Sequence, residues 1–329
     1  MRSRLNIMLI LILLITLLAS CKGQEKAPIA TEPIRLGHTP WVGWGAIYIA
    51  NHEGLFTKEG ITVEVVSYPG YNDLTADFAT RKLDVATTVY ADAIAQAAAG
   101  VALQLIWVFD SSNGGDVFVA SSEIEDMADL KGKRIGLDYG TFSHLFVLEG
   151  LKAHNLTEAD VQIVSITADR VPAAIAAGEI DAGHTWEPYL SEVVANGGHV
   201  LFDSADTPGV ILDSLRVHTS IAERRAADVQ KLVRAMVAAY EWWQQNPEAG
   251  NQIVAEEMGI TAEEIPAILT GIDIYNVERN QAAFAAGEDA LLQRTGELAV
   301  NLYLANGIIE QTLTVDQLLN AQFVNALAK

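Results

Sequence analysis

The chain has 329 residues, half of them hydrophobic, with 42 acidic against 21 basic side chains and a formal net charge of −21. That length and apolar content suffice for two domains with real cores. The acidity argues against a nucleic-acid partner and against electrostatic adhesion to anionic lipid, and a single cysteine leaves no disulfide, thiolate metal site or iron–sulfur cluster.

Arg2 and Arg4 precede an apolar run from Ile7 to Leu18, followed by Ala19-Ser20-Cys21. A basic start, an apolar run and small residues before a cut site mark an export signal. The run is short for a bilayer span. Leu18-Ala19-Ser20-Cys21 resembles a bacterial lipobox, which implies cleavage before Cys21 and lipid on its sulfur. Residues 1–20 are then a signal peptide and 21–33 a flexible tether. The mature protein is expected at a membrane, facing the periplasm or the cell exterior.

The stretch Ile34–Phe56 organises the rest of the chain. Ile34–Gly37 reads as a strand, stopped at Thr39-Pro40 because proline disfavours helix in the residue before it. A loop bearing Trp41 and Trp44 comes next, then a helix through Ala46–Ala50 that ends before Gly54. In an open α/β sheet the loop after a strand lines the ligand crevice. The two tryptophans are therefore either a ligand surface or a lid on the core.

Further along, Ile61–Val66, Asp84–Thr88 and Leu103–Phe109 read as strands, with helices at Leu74–Phe78 and Ala91–Ala99. Such alternation predicts a mostly parallel sheet covered by helices. Ser111–Asp116 is turn-forming and reads as a crossing. A second series comes after it: strands at Val117–Ala120, Arg134–Leu137, Val161–Ile166, Ile180–Gly183 and His199–Phe202, with helices at Phe142–Ala153, Val171–Ala177 and Pro188–Ala195. Ser204–Gly209 reads as a second crossing.

The two series resemble each other. Gly54-Leu55, a strand, a helix and Lys82-Leu83-Asp84-Val85 recur as Gly150-Leu151, a strand, a helix and Glu179-Ile180-Asp181-Ala182. A pseudo-repeat of about a hundred residues is too long for a solenoid unit and implies two similar lobes. A strand at Leu215–Thr219 should return the chain to the first lobe. Helices are predicted at Val229–Tyr240, Ala249–Met258, Ala262–Thr270 and Glu288–Asn306. The expected division is 34–112 with 213–329 as one lobe and 113–212 as the other.

Trp41-Val42-Gly43-Trp44, Gly54-Leu55-Phe56, Lys82-Leu83-Asp84-Val85, Asp129-Leu130-Lys131-Gly132-Lys133-Arg134-Ile135-Gly136, Ala177-Gly178-Glu179-Ile180-Asp181-Ala182 and Glu187-Pro188 together carry a resemblance from about Ile34 to the end. The chain resembles solute-binding proteins of ABC importers, in the nitrate/taurine/sulfonate and thiamine-pyrimidine group. That resemblance implies a type II periplasmic-binding-protein fold of two α/β lobes. Two hinge crossovers join the lobes, which close on a small molecule and deliver it to a membrane permease. No enzymatic activity, cofactor or metal is implied.

Candidate ligand residues lie in loops after the strands: Trp41, Trp44, Tyr71, Tyr90, Trp107 and Asp110 from the first series, and Asp138, Tyr139, Thr141, Phe142, Trp186 and Glu187 from the second. Aromatics and acids dominate, without arginine or lysine. The turn at Gly140–Ser143 offers backbone donors to an anion, yet Asp138 beside it repels one, and the same residues suit an ordinary helix cap. A flat ring stacked between aromatics, donating to Asp110 or Asp138, fits these residues. Within the group the resemblance is closest to riboflavin-binding and thiamine-pyrimidine-binding lipoproteins, so riboflavin is the expected cargo. A cationic amine in an aromatic cage is the main rival, and taurine, a sulfonate or nitrate is another.

Each aromatic also has a packing role open to it, Trp107 above all because it sits within an apolar strand. Rival classes are an enzyme and a sensor module for a membrane kinase. Neither a Gly-x-Ser-x-Gly turn nor a His-Glu-x-x-His pair is present, and the histidines are too scattered for zinc capture.

Overall fold

The computed structural model describes residues 32–287 and 290–327. Cys21, the export signal and nearly all of the expected tether lie outside them. From Ile34 onward the chain forms one compact unit, and no helix among the described residues is long and apolar enough to cross a membrane.

Among the described residues eleven strands alternate with helices, of which ten are labelled. In chain order they are β1 Ile34–His38, α1 Gly45–His52, β2 Val63–Ser67, α2 Tyr71–Ala79, β3 Val85–Val89, α3 Tyr90–Ala98, β4 Leu103–Ser112, β5 Asp116–Ala120, β6 Arg134–Leu137, α4 Phe142–Ala153, β7 Gln162–Ser165, α5 Val171–Ala176, β8 Ala182–Trp186, α6 Tyr189–Ala195, β9 His199–Asp203, β10 Leu212–His218, α7 Ala226–Gln245, α8 Pro247–Met258, β11 Ile272–Ile274, α9 Val277–Ala283 and α10 Leu291–Ala305.

These strands form two sheets, ordered β11-β4-β10-β3-β1-β2 and β7-β6-β8-β5-β9. In both, three parallel strands are extended by an antiparallel one: β2-β1-β3 by β10, and β7-β6-β8 by β5. The repeat read from sequence is thus a repeat of topology. It extends to one ion pair. Arg35 on β1 binds Asp84 just before β3, its backbone N–H and guanidinium both donating to the carboxylate. Arg134 on β6 does the same to Asp181 before β8. Each Arg–Asp clamp fixes how its central parallel strands meet, and the partner holds each aspartate below the usual carboxylate range despite partial burial.

The chain passes between sheets twice, between β4 and β5 and between β9 and β10. This is the two-lobed α/β architecture expected. Local boundaries differ. β8 begins at Ala182, two residues later than the strand expected at 180–183, although the Asp181 backbone already bonds Arg134 and Ser121 on either side. β4 runs through Ser112 into what reads as a turn cluster, since its polar end pairs with β10 and β11. The strand β11 was not foreseen: three residues give no periodicity to read.

Most of the core is one apolar cluster. It includes the inner faces of α1 and α7, with Ile47, Ile49, Leu232 and Met236 fully or almost fully buried. A small satellite of valines and isoleucines lies under α5 and α6. These cores hold the sheets, whose edges carry the site.

Candidate functional site

Parallel strands bring their carboxyl ends to one edge of a sheet, and ligands bind there. β1, β2 and β3 open into Thr39–Trp44, Pro69–Tyr71 and Val89; β6, β7 and β8 open into Asp138, Thr167–Asp169 and Trp186–Tyr189. The antiparallel strands run the other way, so β5 and β10 bring their starts to the same edges, with Asp116 the first residue of β5 and Asp213 the second of β10. Residues from each of these segments line one cleft of about 370 Å³.

Its lining is chemically one-sided. Trp41, Trp44, Tyr71, Phe142, Trp186 and Tyr189 supply six aromatic rings; Asp73, Asp116, Asp138, Asp169 and Asp213 supply five carboxyls; among the described residues no lysine, arginine or histidine contributes. The tryptophan loop is held from below. The Tyr48 hydroxyl accepts the Trp41 N–H at 3.1 Å and donates to the Trp41 carbonyl at 3.0 Å. Trp44 lies edge-on against Phe109. On the opposite wall Phe142, His184 and Trp186 pack ring to ring.

Gly140, with φ of 81°, makes the tight turn before α4 that a side chain would strain. Thr141 caps that helix by accepting the Ser143 N–H at 3.2 Å, so the helix-cap reading of this turn is the one observed. The Phe142 N–H is also taken: Asp92 on α3 accepts it at 2.6 Å. Burial pushes the Asp92 carboxyl up to about 7, although this donor and the nearby Tyr71 hydroxyl favour its charged form.

Ser143 Oγ lies 2.8 Å from His184 Nδ1, and His184 Nε2 lies 3.0 Å from Asp116 Oδ1. The order matches a Ser–His–Asp relay, but nothing answers to an oxyanion hole. Both backbone donors at the helix start are occupied, and Asp138 stands beside the hydroxyl, its own N–H donating to it. Acyl transfer needs donors aimed at developing negative charge; the donors described at this turn are already spent within the protein. The chain of hydrogen bonds positions the aromatic wall.

Deeper in, Asp213 on β10 faces Asp110 on β4 in direct cross-strand register. Both are buried. Desolvation drives the Asp110 carboxyl up to about 7 and Asp213 well above its ordinary value. The Trp41 indole N–H faces the pair but closes no hydrogen bond to it.

Of the expected site residues, Trp41, Trp44, Tyr71, Asp138, Phe142 and Trp186 come together in the cleft. The other six lie off its lining. Tyr90 is fully buried beneath α10, next to Gly296. Trp107 sits on β4 at a different hollow, with Tyr240 and Glu241 of α7. Asp110 is one layer behind, covered by Gly43. Tyr139 is half exposed and stacks on His144, Thr141 is spent on the cap, and Glu187, before a cis proline bond, bonds Ser191. Sequence reasoning missed Asp213, Asp116, Asp73, Asp169 and Tyr189. Asp213 was legible in principle: extending the returning strand by two residues places an aspartate at its mouth.

Two sheets with ligand-facing carboxyl edges, joined by two crossovers, define a periplasmic-binding-protein fold. The chain belongs to the NMT1/THI5 like family, whose model matches residues 42–250. It is 27% identical over 286 residues to a putative aliphatic sulfonates-binding protein of Bacillus subtilis, covering 82% of this chain and 83% of that one. A taurine-binding periplasmic protein of Escherichia coli is 22% identical over 250 residues, 73% of this chain and 77% of its own. Among solved structures, the periplasmic aliphatic sulphonate binding protein SsuA from Escherichia coli superposes with a TM-score of 0.71 at 20% identity, covering 90% of this chain and 99% of that one.

Proposed function

We propose that this is the exported solute-binding protein of an ABC importer, capturing a small organic solute that carries a positively charged nitrogen and passing it to a membrane permease. The transport class rests on family membership and on relatives named as binding proteins. The ligand class rests on one observation: six aromatic rings and five carboxyls line the cleft, without a single basic side chain. Aromatic faces and carboxylates both attract cations, and a simple anion meets repulsion on every wall.

The relatives' names point to sulfonates and taurine; none supports riboflavin, whose case is reduced to the aromatic lining. An aminosulfonate satisfies both lines of argument. Its ammonium suits the acids, and its sulfonate finds backbone donors at the start of α2, which has no side-chain cap and opens into the cleft at Gly70 and Tyr71; Asp73 in the same turn opposes that end, so the ammonium carries the attraction. Taurine-like zwitterions are therefore the first ligands to test. The lipid anchor on Cys21 belongs to the same proposal, as the means of keeping the binder beside its permease.

Calorimetric titration with taurine, choline, methanesulfonate, nitrate and riboflavin tests the ligand class. Taurine or choline should bind at least tenfold more tightly than methanesulfonate. Equal binding of methanesulfonate, with no response to choline, would overturn the cation reading and leave a sulfonate binder. Saturable binding of riboflavin alone would restore the flavin reading.

A further inference from the structure

We propose that Asp110 and Asp213 form a proton-exchanging seat: without ligand, the two carboxyls hold a proton between them, and the ligand's positive nitrogen, docking on Asp213, expels it to solvent. This deepens the cation reading above and rests on it. Asp213 touches the ligand; Asp110 is a positioning residue that acts through it.

The geometry is specific. Asp110 and Asp213 are opposite residues on β4 and β10, the strands that lead into and out of the two crossovers. Like charges directly opposite on a sheet are destabilising, and two buried carboxyls this close do not both ionise without a compensating cation. No ion pair reaches either one among the described residues. Asp110 is fully buried, and neither of its oxygens has a hydrogen-bond donor. A proton shared with Asp213 is the partner these atoms lack.

The surroundings reinforce this. From β5, Asp116 adds negative charge, tied to His184. From the β11 side come Asp273 and the Tyr275 ring. Arg279 on α9 lies over that ring and 4.0 Å from Asp273, spent on them rather than on the pair. From the tryptophan loop, Trp41 presents an indole N–H that has no other acceptor. Gly43 covers Asp110, where even a Cβ would meet its carboxylate. Only Asp213 is left to face the cleft.

Two measurements on the full chain test this. With aspartate carboxyls labelled in carbon-13, one coupled pair should titrate at or above neutrality, and D110N should abolish that coupling. Both carboxyls titrating below pH 5 would overturn the shared proton. Calorimetry with choline and with taurine at pH 6, 7 and 8, in phosphate and in Tris, should show close to one proton released per ligand below the pair's own titration. There affinity should rise about tenfold per pH unit, and D110N should flatten that slope. Binding heats independent of buffer would overturn the exchange. Failure of both probes to bind would overturn the cation seat together with the function beneath it, while the carboxyl titration still decides the shared proton.

Discussion

Asp92 of α3 and Phe142 at the start of α4 are joined by a 2.6 Å hydrogen bond from the Phe142 N–H to Asp92 Oδ1, which ties the first sheet's layer to the second's across the floor of the cleft. The contact fills the first-turn donor that an anionic ligand would need at α4. The protein's own carboxylate therefore stands where a sulfonate would. Removing it strands a buried N–H, which costs about 1–3 kcal/mol. Asp92→Ala should lose about that much in urea unfolding, whereas Asp92→Asn, which keeps an acceptor oxygen, should lose less than half of it. Asp92→Ala should also raise affinity for methanesulfonate relative to choline, read by calorimetry.

The buried carboxyls give stability a pH dependence of a definite sign. Burial pushes Asp92 up to about 7 in the folded chain and raises the Asp110–Asp213 pair as a unit, above the ~3.9 of an unfolded aspartate. Between those values the folded state binds more protons than the unfolded one, so stability falls as pH rises from about 4 to 7. Melting temperature should be higher at pH 5 than at pH 8. Asp110→Asn, neutral at every pH, should narrow that difference by gaining stability at pH 8. A melting temperature that climbs steadily from pH 5 to 8 would contradict both assignments.

Gly43 has room for nothing more than hydrogen. A Cβ there would run into the Asp110 carboxylate and come within 2.8 Å of Trp41 Nε1. The carboxylate is buried and has no space to yield, so overpacking of about 1–3 kcal/mol results. Gly43→Ala should show that loss on unfolding and should weaken ligand binding, because the strain falls on Trp41 and on the carboxyl pair. Gly54→Ala makes a useful contrast: no atom lies within 4 Å of its Cβ, but its φ of 65° strains any side chain. It should cost stability without touching affinity.

How much of this was legible in the sequence depends on the range of each interaction. The alternation of strands and helices is local, and the paired Leu-Asp and Ile-Asp motifs at Leu83-Asp84 and Ile180-Asp181 marked the repeat because the same clamp recurs in both sheets. Trp41, Trp44, Phe142 and Trp186 were found because loops after parallel strands reach the cleft by rule. Asp213 and Asp116 were missed because they enter from antiparallel strands, whose starts, not ends, face the ligand. Asp92 was hidden inside an alanine-rich helix; its role depends on a residue fifty positions away. Tyr90 obeys the strand-end logic in sequence, yet in space α10 covers it; Trp107 lies within its strand and faces α7 instead.

Trp107 and Trp186 separate packing from binding within one residue type. Trp107 is buried on β4 and faces the hollow beside α7; Trp186 is partly exposed at the end of β8 and lines the cleft with Tyr189 and Phe142. Truncating a buried tryptophan costs about 3–5 kcal/mol through lost transfer energy and the cavity left behind. Trp107→Ala should therefore lose stability of that order and bind the ligand as the parent does at temperatures where it stays folded. Trp186→Ala should lose less stability, since its ring is only partly buried. Its loss is of a cation-facing ring, about 0.5–2 kcal/mol, which is a weakening of roughly 2- to 30-fold in calorimetric titration with choline or taurine. The reverse pattern, affinity lost with Trp107 and kept without Trp186, would move the binding site to the hollow between β4, α7 and α9, where Glu241 and Glu278 would take the place of the cleft's aspartates.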